Sequence, residues 1–396
     1  MHIKLVVNSF PIVSETFLFN LVVGLQAKGY HVTVCAQTHT NNIQYYTARL
    51  HEWTGEIDVM PYAANGVKKW LNLFPYFIGQ IGTFFSKDRQ TLKRNILSKI
   101  QVANLLKGNP DIIHFAYSGI AVSLMDSIPE LKSNGIKIVT SCRGSAEKVR
   151  PIVEPTRKDE LRKLFSLCDK VHCVSEDMMK GLKKYGLEEQ NTFVNYPSVD
   201  VEYFKREKPY VIKQNQKIKI VTTGRLHFQK GYVYSLQAMK MLKDAGYDYE
   251  YKIIGDGPDK HMIQYLISEL QLEEHVLLTG KISLTEVKQI LLDSDIFVLP
   301  SLYEGIANAA LEAMALQLPL VTTRSGGMAE VITHRENGML VERFDGRLIF
   351  EAVKELIDHP DVRKKISDNS NIVIKKIFNT KNQIDKYHTF YHALMK

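Results

Sequence analysis

Four charged side chains, two acidic and two basic, are the residues of this chain best suited to chemistry. Glu304 and Glu312 follow the apolar run 295–300 and flank a glycine turn and the start of a predicted helix. Arg225 and Lys230 follow the apolar run 218–223. Guanidinium and ammonium groups bind phosphate oxygens, whereas carboxylates accept hydrogen bonds from hydroxyl groups. These residues therefore predict a pocket for a phosphorylated ligand that carries several hydroxyl groups.

The cations and the carboxylates have different predicted tasks. Arg225 and Lys230 would neutralise a diphosphate leaving group as its negative charge develops. Glu312 would accept hydrogen bonds from ribose hydroxyls, and Glu304 from the hydroxyls of a donor sugar. The alternative is that the cations flank a surface loop and the acids favour a helix N-terminus. We favour the functional interpretation, because ligands bind outside the carboxyl ends of parallel strands, where these residues are expected.

Backbone groups near these side chains are also expected to meet the ligand. Gly305 and the small residues after it open a helix, whose free N–H groups attract anions, and Asn308 is expected to cap that helix. The turn 255–258 would border the nucleotide, although its residues also suit an ordinary β-turn. The segment 326–330 is expected to approach the phosphates. Neither half contains GxGxxG, which disfavours a nicotinamide dinucleotide.

Strand-like and helix-like segments alternate along the whole chain. Helical patterns such as 16–28 and 176–185 separate the strands. This alternation predicts parallel sheets with helices on both faces. Strands are predicted at 2–8, 31–36, 111–115, 136–141, 170–174 and 191–195, and then at 218–223, 249–254, 276–279, 296–299, 320–323 and 338–341.

Two domains are predicted from the length of 396 residues and from a restart in the pattern. The polar segment 202–217 reads as a linker, after which residues 217–224 resemble residues 2–8. The first domain is predicted over 1–205 and the second over 206–380. A last helix, 381–396, is expected to pack back on the first domain.

Composition indicates a soluble globular protein, with 45% hydrophobic and 24% charged residues. The cysteines lack zinc-ligand spacing and are expected to be reduced and buried. Because the given sequence starts with a predicted strand, no secretory signal is expected. The most apolar stretch, 71–85, is too interrupted to be expected to span a membrane. A cytoplasmic protein without a metal, a cofactor or a nucleic-acid partner is expected. The four cysteines are Cys35, Cys142, Cys168 and Cys173.

The net charge of +8 is concentrated in one segment, residues 67–107, which holds eight cations and one acid. Apolar residues, many of them aromatic, recur there at helical spacing. A basic helix with an aromatic stripe suits an anionic membrane surface. The alternative is that the stripe packs on the domain core and the cations form a solvated face.

The second half resembles glycosyltransferase family 4, the retaining and metal-independent enzymes with the GT-B fold. The matching motifs lie in the family's order at 224–226, 230–231, 255–258, 304–312 and 326–332. The resemblance implies an α/β architecture of two Rossmann-like doubly wound domains facing a central cleft. It also implies that Arg225 and Lys230 bind the donor diphosphate, Glu312 the ribose and Glu304 the donor sugar. The other donor-binding residues it implies are Gly224, Gly255, Asp256, Gly257, Lys281, Ile282, Gly305, Ile306, Ala307 and Asn308.

The first half resembles the exopolysaccharide, or colanic-acid-type, members of that family. The segment 9–17 looks like their Phe-Pro-x-x-Ser-Glu-Thr-Phe loop, which implies an acceptor site at Ser14, Glu15 and Thr16. His114 matches the family's strand end and is expected to be catalytic. Arg143 stands where many members keep a near-catalytic His, and we expect it to act there.

The resemblance implies transfer of a sugar from a UDP- or GDP-sugar to a lipid-linked or polysaccharide-precursor acceptor, with retention at the anomeric carbon. Such an enzyme would work in the cytoplasm, either free or held at the inner face of the cell membrane through residues 67–107. Two alternatives stay open. One is a nucleotide-sugar 2-epimerase, and the other is a non-catalytic binding subunit of a partner glycosyltransferase, favoured only by Arg143.

Overall fold

The chain forms two compact units in a computed structural model that describes residues 1–10, 15–39, 57–59, 89–212 and 217–396. Unit 1 comprises Met1–Cys173, Met179–Asn195 and Ile384–Lys396. Unit 2 comprises Val174–Met178 and Tyr196–Gln383. The chain therefore passes from unit 1 to unit 2 at residue 196, whereas the sequence predicted a boundary at 205/206.

Unit 1 contains a parallel sheet in the order β3-β2-β1-β4-β5-β6-β7. Its order reverses between β1 and β4, which pair with Leu5 opposite His114. Such a reversal is the topological switch point of a doubly wound fold. The strands are β1 (His2–Phe10), β2 (His31–His39), β3 (Ile57–Val59), β4 (Ile112–Phe115), β5 (Lys137–Cys142), β6 (Lys170–Cys173) and β7 (Thr192–Val194).

Unit 2 contains a second parallel sheet with the corresponding order, β10-β9-β8-β11-β12-β13. Its switch point lies between β8 and β11, where Ile296 pairs with Ile220 and Phe297 with Val221. The strands are β8 (Ile218–Thr223), β9 (Tyr249–Ile254), β10 (Val276–Gly280), β11 (Ile296–Leu299), β12 (Leu320–Thr323) and β13 (Met339–Val341).

Helices connect these strands and cover the sheets. Several begin where the sequence supplies a capping side chain: Ser283 and Glu286 form a capping box, and Asp345 accepts hydrogen bonds from the N–H groups of Arg347 and Leu348. The described α-helices are Thr16–Ala27, Arg89–Leu106, Ser118–Ser123, Ile128–Ser133, Ser145–Lys148, Arg150–Val153, Arg157–Leu167, Glu176–Leu182, Tyr232–Asp244, Lys260–Glu269, Leu284–Asp293, Asn308–Ala315, Met328–Val331, Gly346–Asp358, Pro360–Ile377 and Thr380–Leu394.

The central strand β11 is apolar along its whole length, as expected for a strand buried on both faces of the sheet. In β11, Phe297 and Leu299 belong to one core cluster, whereas Ile296 and Val298 belong to a second one. Successive strand residues point to opposite faces, so this division places a separate core on each side of the sheet. Unit 1 has a comparable core, which includes Tyr391 from the helix Thr380–Leu394.

The predicted strands are present within three residues of their expected ends, and the short strand β3 was missed. The four cysteines are buried and unpaired. Among the described helices, none is long and apolar enough to cross a membrane. Most of the basic segment 67–107, including its aromatic stripe, lies outside the described residues, as do Ser14 and positions 213–216 of the predicted linker.

Candidate functional site

The loops that carry the four predicted charged residues leave the sheet of unit 2 side by side. Strand β8 ends at Thr223 and its neighbour β11 ends at Leu299, so the segments after them share one edge of the sheet. This edge is the switch point, where open α/β sheets bind their ligands. The structure therefore brings together the two motifs that the sequence singled out.

Lys230 and Glu304 form the centre of this edge. The Lys230 ammonium lies 2.6 Å from Oε1 of Glu304, and the Ser301 hydroxyl donates to the same oxygen at 2.6 Å. The Glu304 side chain is only 9% exposed and that of Lys230 only 20%. The second carboxylate oxygen, Oε2, has no hydrogen-bond partner within the described part of the chain. Glu304 is thus held by one oxygen and keeps the other as a free acceptor.

Hydrogen bonds from outside the motif hold the loop that carries Glu304. Gln229 accepts from the Leu302 N–H at 2.8 Å through its backbone carbonyl. Its side-chain amide donates to the Tyr303 carbonyl at 2.9 Å. Arg343 donates to the Leu302 carbonyl at 3.0 Å. Sequence reasoning missed Gln229 and Arg343, because no spacing pattern connects them to the loop.

Two glycines allow neighbouring loops to touch backbone to backbone at this edge. Gly255 has φ of +145°, and a Cβ there would lie 1.9 Å from the Gly224 carbonyl oxygen. Gly326 has φ of +58°, and a Cβ there would lie 1.9 Å from the Glu304 carbonyl oxygen. Any larger residue would therefore push the loops apart.

Arg225 is exposed and makes no ion pair with any described residue. Asp256 is also exposed, and its carboxylate accepts from the Gly257 N–H at 2.9 Å, which stabilises the turn. Lys281 is exposed, whereas Ile282 packs partly buried against the core. These residues follow β8, β9 and β10 at the same edge of the sheet.

Glu312 lies one turn into the helix Asn308–Ala315 and is half-buried. Its carboxylate has no hydrogen-bond or ion-pair partner among the described residues, and burial raises its pKa to about 7. A buried carboxylate without donors is unfavourable unless a ligand supplies them. Glu312 is therefore well suited to accept hydrogen bonds from hydroxyl groups.

The start of this helix differs from the prediction. Asn308 is the first helical residue, and the N-cap position is occupied by Ala307, which has no side chain able to cap. The expectation that Asn308 caps the helix is therefore wrong. The Ala307 N–H points to the Met328 sulfur at 3.5 Å, and Gly305 accepts from the Gly327 N–H at 2.8 Å. An uncapped helix start leaves N–H groups for an anion.

Glu330, at the end of the segment 326–330, has a structural role that the sequence did not indicate. Its carboxylate accepts hydrogen bonds from the N–H groups of Glu176 at 2.9 Å and Asp177 at 2.7 Å. It therefore caps the helix Glu176–Leu182, whose first residues belong to unit 2. An acidic side chain at a helix N-terminus is electrostatically favourable.

In unit 1, His114 is fully buried and does not reach solvent. Its Nδ1 lies 2.6 Å from the Tyr391 hydroxyl and its Nε2 lies 2.8 Å from the Ser141 hydroxyl. Burial lowers the pKa of His114 to about 3, so the ring is neutral. With both nitrogens occupied, this histidine is placed to support the core, and the geometry does not favour direct contact with a substrate.

Glu15 and Arg143 lie near each other at the carboxyl edge of the sheet in unit 1. The Arg143 guanidinium lies 4.4 Å from the centre of the Phe17 ring, and its Nε donates to the Ala116 carbonyl at 3.0 Å. Glu15 accepts a hydrogen bond from the Tyr117 hydroxyl, and burial raises the pKa of its carboxyl. Thr16 begins the helix Thr16–Ala27 next to them.

Two family models together match nearly the whole chain. The model described as Glycosyltransferase Family 4 matches residues 14–203, and the model described as Glycosyl transferases group 1 matches residues 203–372. The chain belongs to glycosyltransferase family 4. The two models meet at residue 203, so together they match residues of both units of this glycosyltransferase.

Relatives match this glycosyltransferase over most of its length. It is 27% identical over 374 residues to WcaL of Escherichia coli (strain K12), named for colanic acid biosynthesis, a match that covers 89% of this chain and 90% of WcaL. It is 28% identical to AmsK of Erwinia amylovora, named for amylovoran biosynthesis, over 88% of this chain and 89% of AmsK. Anabaena HepE, solved with UDP and glucose, has a TM-score of 0.76 at 14% identity over 99% of both chains. The predicted GT-B fold class is confirmed.

Proposed function

We propose that this glycosyltransferase moves a sugar from a UDP- or GDP-sugar to a lipid-linked or polysaccharide-precursor acceptor, with retention at the anomeric carbon and without a metal ion. The observation that carries the proposal is the pairing of Lys230 with Glu304 beside the exposed Arg225 and the unpartnered Glu312. It combines phosphate-binding cations with hydroxyl-binding carboxylates at one switch point.

The diphosphate, the ribose and the sugar of the donor would each meet a matching group at this edge of unit 2. Arg225 and Lys230 would bind the diphosphate together with the uncapped start of the helix Asn308–Ala315. Glu312 would accept from the ribose hydroxyls. Glu304 would accept from a sugar hydroxyl through Oε2, because Oε1 already accepts from Lys230 and Ser301.

The proposed reaction breaks the bond between the anomeric carbon and the diphosphate oxygen and forms a bond to the acceptor oxygen on the same face of the sugar. The acceptor proton passes to the leaving diphosphate. Arg225 and Lys230 stabilise the negative charge that develops there, which is the role a metal ion has in other transferases. No side chain acts as a nucleophile in this proposal.

The acceptor class rests on the relatives. WcaL and AmsK are named for the biosynthesis of two bacterial exopolysaccharides, and this chain matches both over nearly nine tenths of its length. We propose the same kind of pathway, at the cytoplasmic face of the membrane. Contact with anionic lipid through residues 67–107 is part of the proposal.

Calorimetric titration with UDP and GDP, without added metal, tests the donor site. We expect one nucleotide to bind and Lys230→Ala to weaken it at least roughly tenfold, because a hydrogen-bonded charge is lost. Lys240→Ala is the matched control, since Lys240 pairs with Asp244 on the exposed face of the following helix. Equal binding by wild type and Lys230→Ala would contradict the donor-site assignment.

A transfer assay separates the proposed activity from the alternatives. Purified enzyme with the nucleotide sugar and a membrane extract as acceptor should release nucleotide only when acceptor is present, and Glu304→Ala should abolish the release. Release of free nucleotide without any acceptor would instead indicate the epimerase. Transfer that survives in Glu304→Ala would contradict the role of that carboxylate.

A further inference from the structure

The direct hydrogen-bond and ring partners of the Arg143 guanidinium in unit 1 are neutral groups. Its Nε donates to the Ala116 carbonyl at 3.0 Å, and its Nη2 lies 3.5 Å from the Ser141 hydroxyl. The ring of Phe17 packs on its face at 4.4 Å, and the Tyr387 hydroxyl also contacts it. All of these partners solvate a positive charge, but none neutralises it.

No carboxylate lies at ion-pair distance from Arg143 within the described ranges of the chain. Glu15 lies within electrostatic range of Arg143; burial raises the pKa of its carboxyl, which accepts a hydrogen bond from the Tyr117 hydroxyl. Arg143 is half-buried. Burial, and after it the charge of Arg143, lowers the pKa values of His114 and His172, which are therefore neutral. Partial burial of a charge without a counter-ion costs free energy that an anionic ligand would recover.

The loop that presents Arg143 is fixed by a buried acid. Glu147 accepts hydrogen bonds from the Arg143 N–H at 3.2 Å and the Gly144 N–H at 2.9 Å, and also from the Ser118 hydroxyl. The fully buried Arg157 donates to Ser118 at 2.7 Å. This network holds the backbone of the loop without contacting the guanidinium, so the cation is preorganised rather than adaptable.

The position of Arg143 is one where a ligand is expected. It directly follows β5, which pairs with β4, and β4 forms the switch point with β1. Phe17 lies at the start of the helix after β1, and Tyr117 lies directly after β4. Three neighbouring strand ends of unit 1 thus converge on one fixed cation.

We propose that Arg143 recognises an anionic group on the acceptor, a phosphate or a carboxylate, at the carboxyl edge of the unit 1 sheet. This inference rests on the proposed function, since it names the acceptor class of that enzyme. A planar guanidinium binds either anion through paired N–H groups. The phosphate would come from a lipid-linked precursor and the carboxylate from an acidic sugar.

The test uses the full-length enzyme saturated with the nucleotide that it binds, so that the donor phosphate site of unit 2 is filled. Methyl phosphate, methyl glucuronide and methyl glucoside are then titrated separately by calorimetry. We expect one of the two anions to bind and the neutral glucoside to bind at least roughly tenfold more weakly, because the charged hydrogen bond is missing. Preference for methyl phosphate identifies the lipid-linked source, and preference for the glucuronide identifies the acidic sugar.

Three variants make the result specific. Arg143→Gln should lose the preference for the anion, and Arg143→Lys should keep part of it, because the lysine retains the charge without the planar fork. Arg162→Gln is the control, since Arg162 pairs with Asp159 on the surface of unit 1. If Arg143→Gln folds poorly, the reduced anion preference expected of Arg143→Lys still tests the inference.

Two results would overturn the inference: binding of the glucoside as tight as that of both anions, or anion binding that is the same in wild type and both Arg143 variants. Failure of the donor site has a different signature. In that case the wild type would bind neither UDP nor GDP before any acceptor probe is added, which rejects the proposed function itself.

Discussion

Replacing Glu312 by Gln should stabilise the folded protein while weakening its binding of nucleotide. Glu312 is a half-buried carboxylate without a described partner, and burial raises its pKa from 4.5 to about 7. Since a tenfold change in acidity corresponds to about 1.4 kcal/mol, ionising this group in the folded state costs up to about 3 kcal/mol. A neutral amide of the same shape avoids most of this cost.

The effect should depend on pH in a defined direction. Because the folded pKa is raised, the stability associated with neutral Glu312 is fully present below pH 4.5 and is lost as pH rises through about 7. The wild type and Glu312→Gln should therefore be nearly equally stable at pH 4.5. Above pH 7 the variant should be more stable by up to about 3 kcal/mol.

Urea unfolding at a series of pH values between 4.5 and 8.5 measures this difference, followed through the transition of unit 2. Glu269→Gln, an exposed substitution in the same unit, should show no such trend. The reasoning is refuted if Glu312→Gln is less stable than the wild type at pH 8.5, or if the difference does not grow with pH. Either result would mean that the carboxylate has donors that stabilise its charge.

Three further perturbations test the loops around the site. Gly326→Ala should destabilise unit 2 by more than about 2 kcal/mol in urea unfolding, because Gly326 has φ of +58° and its Cβ would clash with the Glu304 carbonyl. The control Gly246→Ala, at φ of +79° in open space, should cost only about 1 kcal/mol. Equal losses of stability in the two variants would contradict this prediction. Ser301→Ala removes a donor to Glu304 and should lower kcat/KM roughly tenfold with unchanged nucleotide affinity. Gln229→Ala should lower kcat/KM about fivefold, through the loop alone; weaker UDP or GDP binding in either variant would refute the assigned role.

The sequence was most informative where a strand is a short continuous run and the functional residues follow it directly. Strands such as Ile218–Thr223 and Ile296–Leu299 are short apolar runs between turns, and the residues after them were predicted to share one edge of a sheet. The structure places Lys230 against Glu304 there, although 74 residues separate them. The parallel topology was enough to predict that these two residues lie at the same edge, because a parallel sheet brings the carboxyl ends of its strands together.

Long-range partners were not predictable. Glu330 caps a helix that begins 154 residues earlier, and His114 is bonded to Tyr391, 277 residues later. Such contacts leave no periodic signal near either residue, so His114 was expected to be catalytic and the partners of Glu330 were not anticipated. Strand β3 was missed for a different reason, since three residues are too few to show a strand pattern.

Because unit 1 combines segments from both ends of the chain, the two units are not completed in the order in which their first strands are synthesised. Tyr387, Phe390 and Tyr391 complete the core around Ile3 and Leu5, yet they are synthesised after every strand of unit 2. Unit 2 has all its segments once Gln383 has emerged, whereas the sheet of unit 1, although made first, still lacks part of its apolar cover. The half whose strands are translated first is therefore the half whose chain is completed last, and until then part of its apolar core lacks its cover.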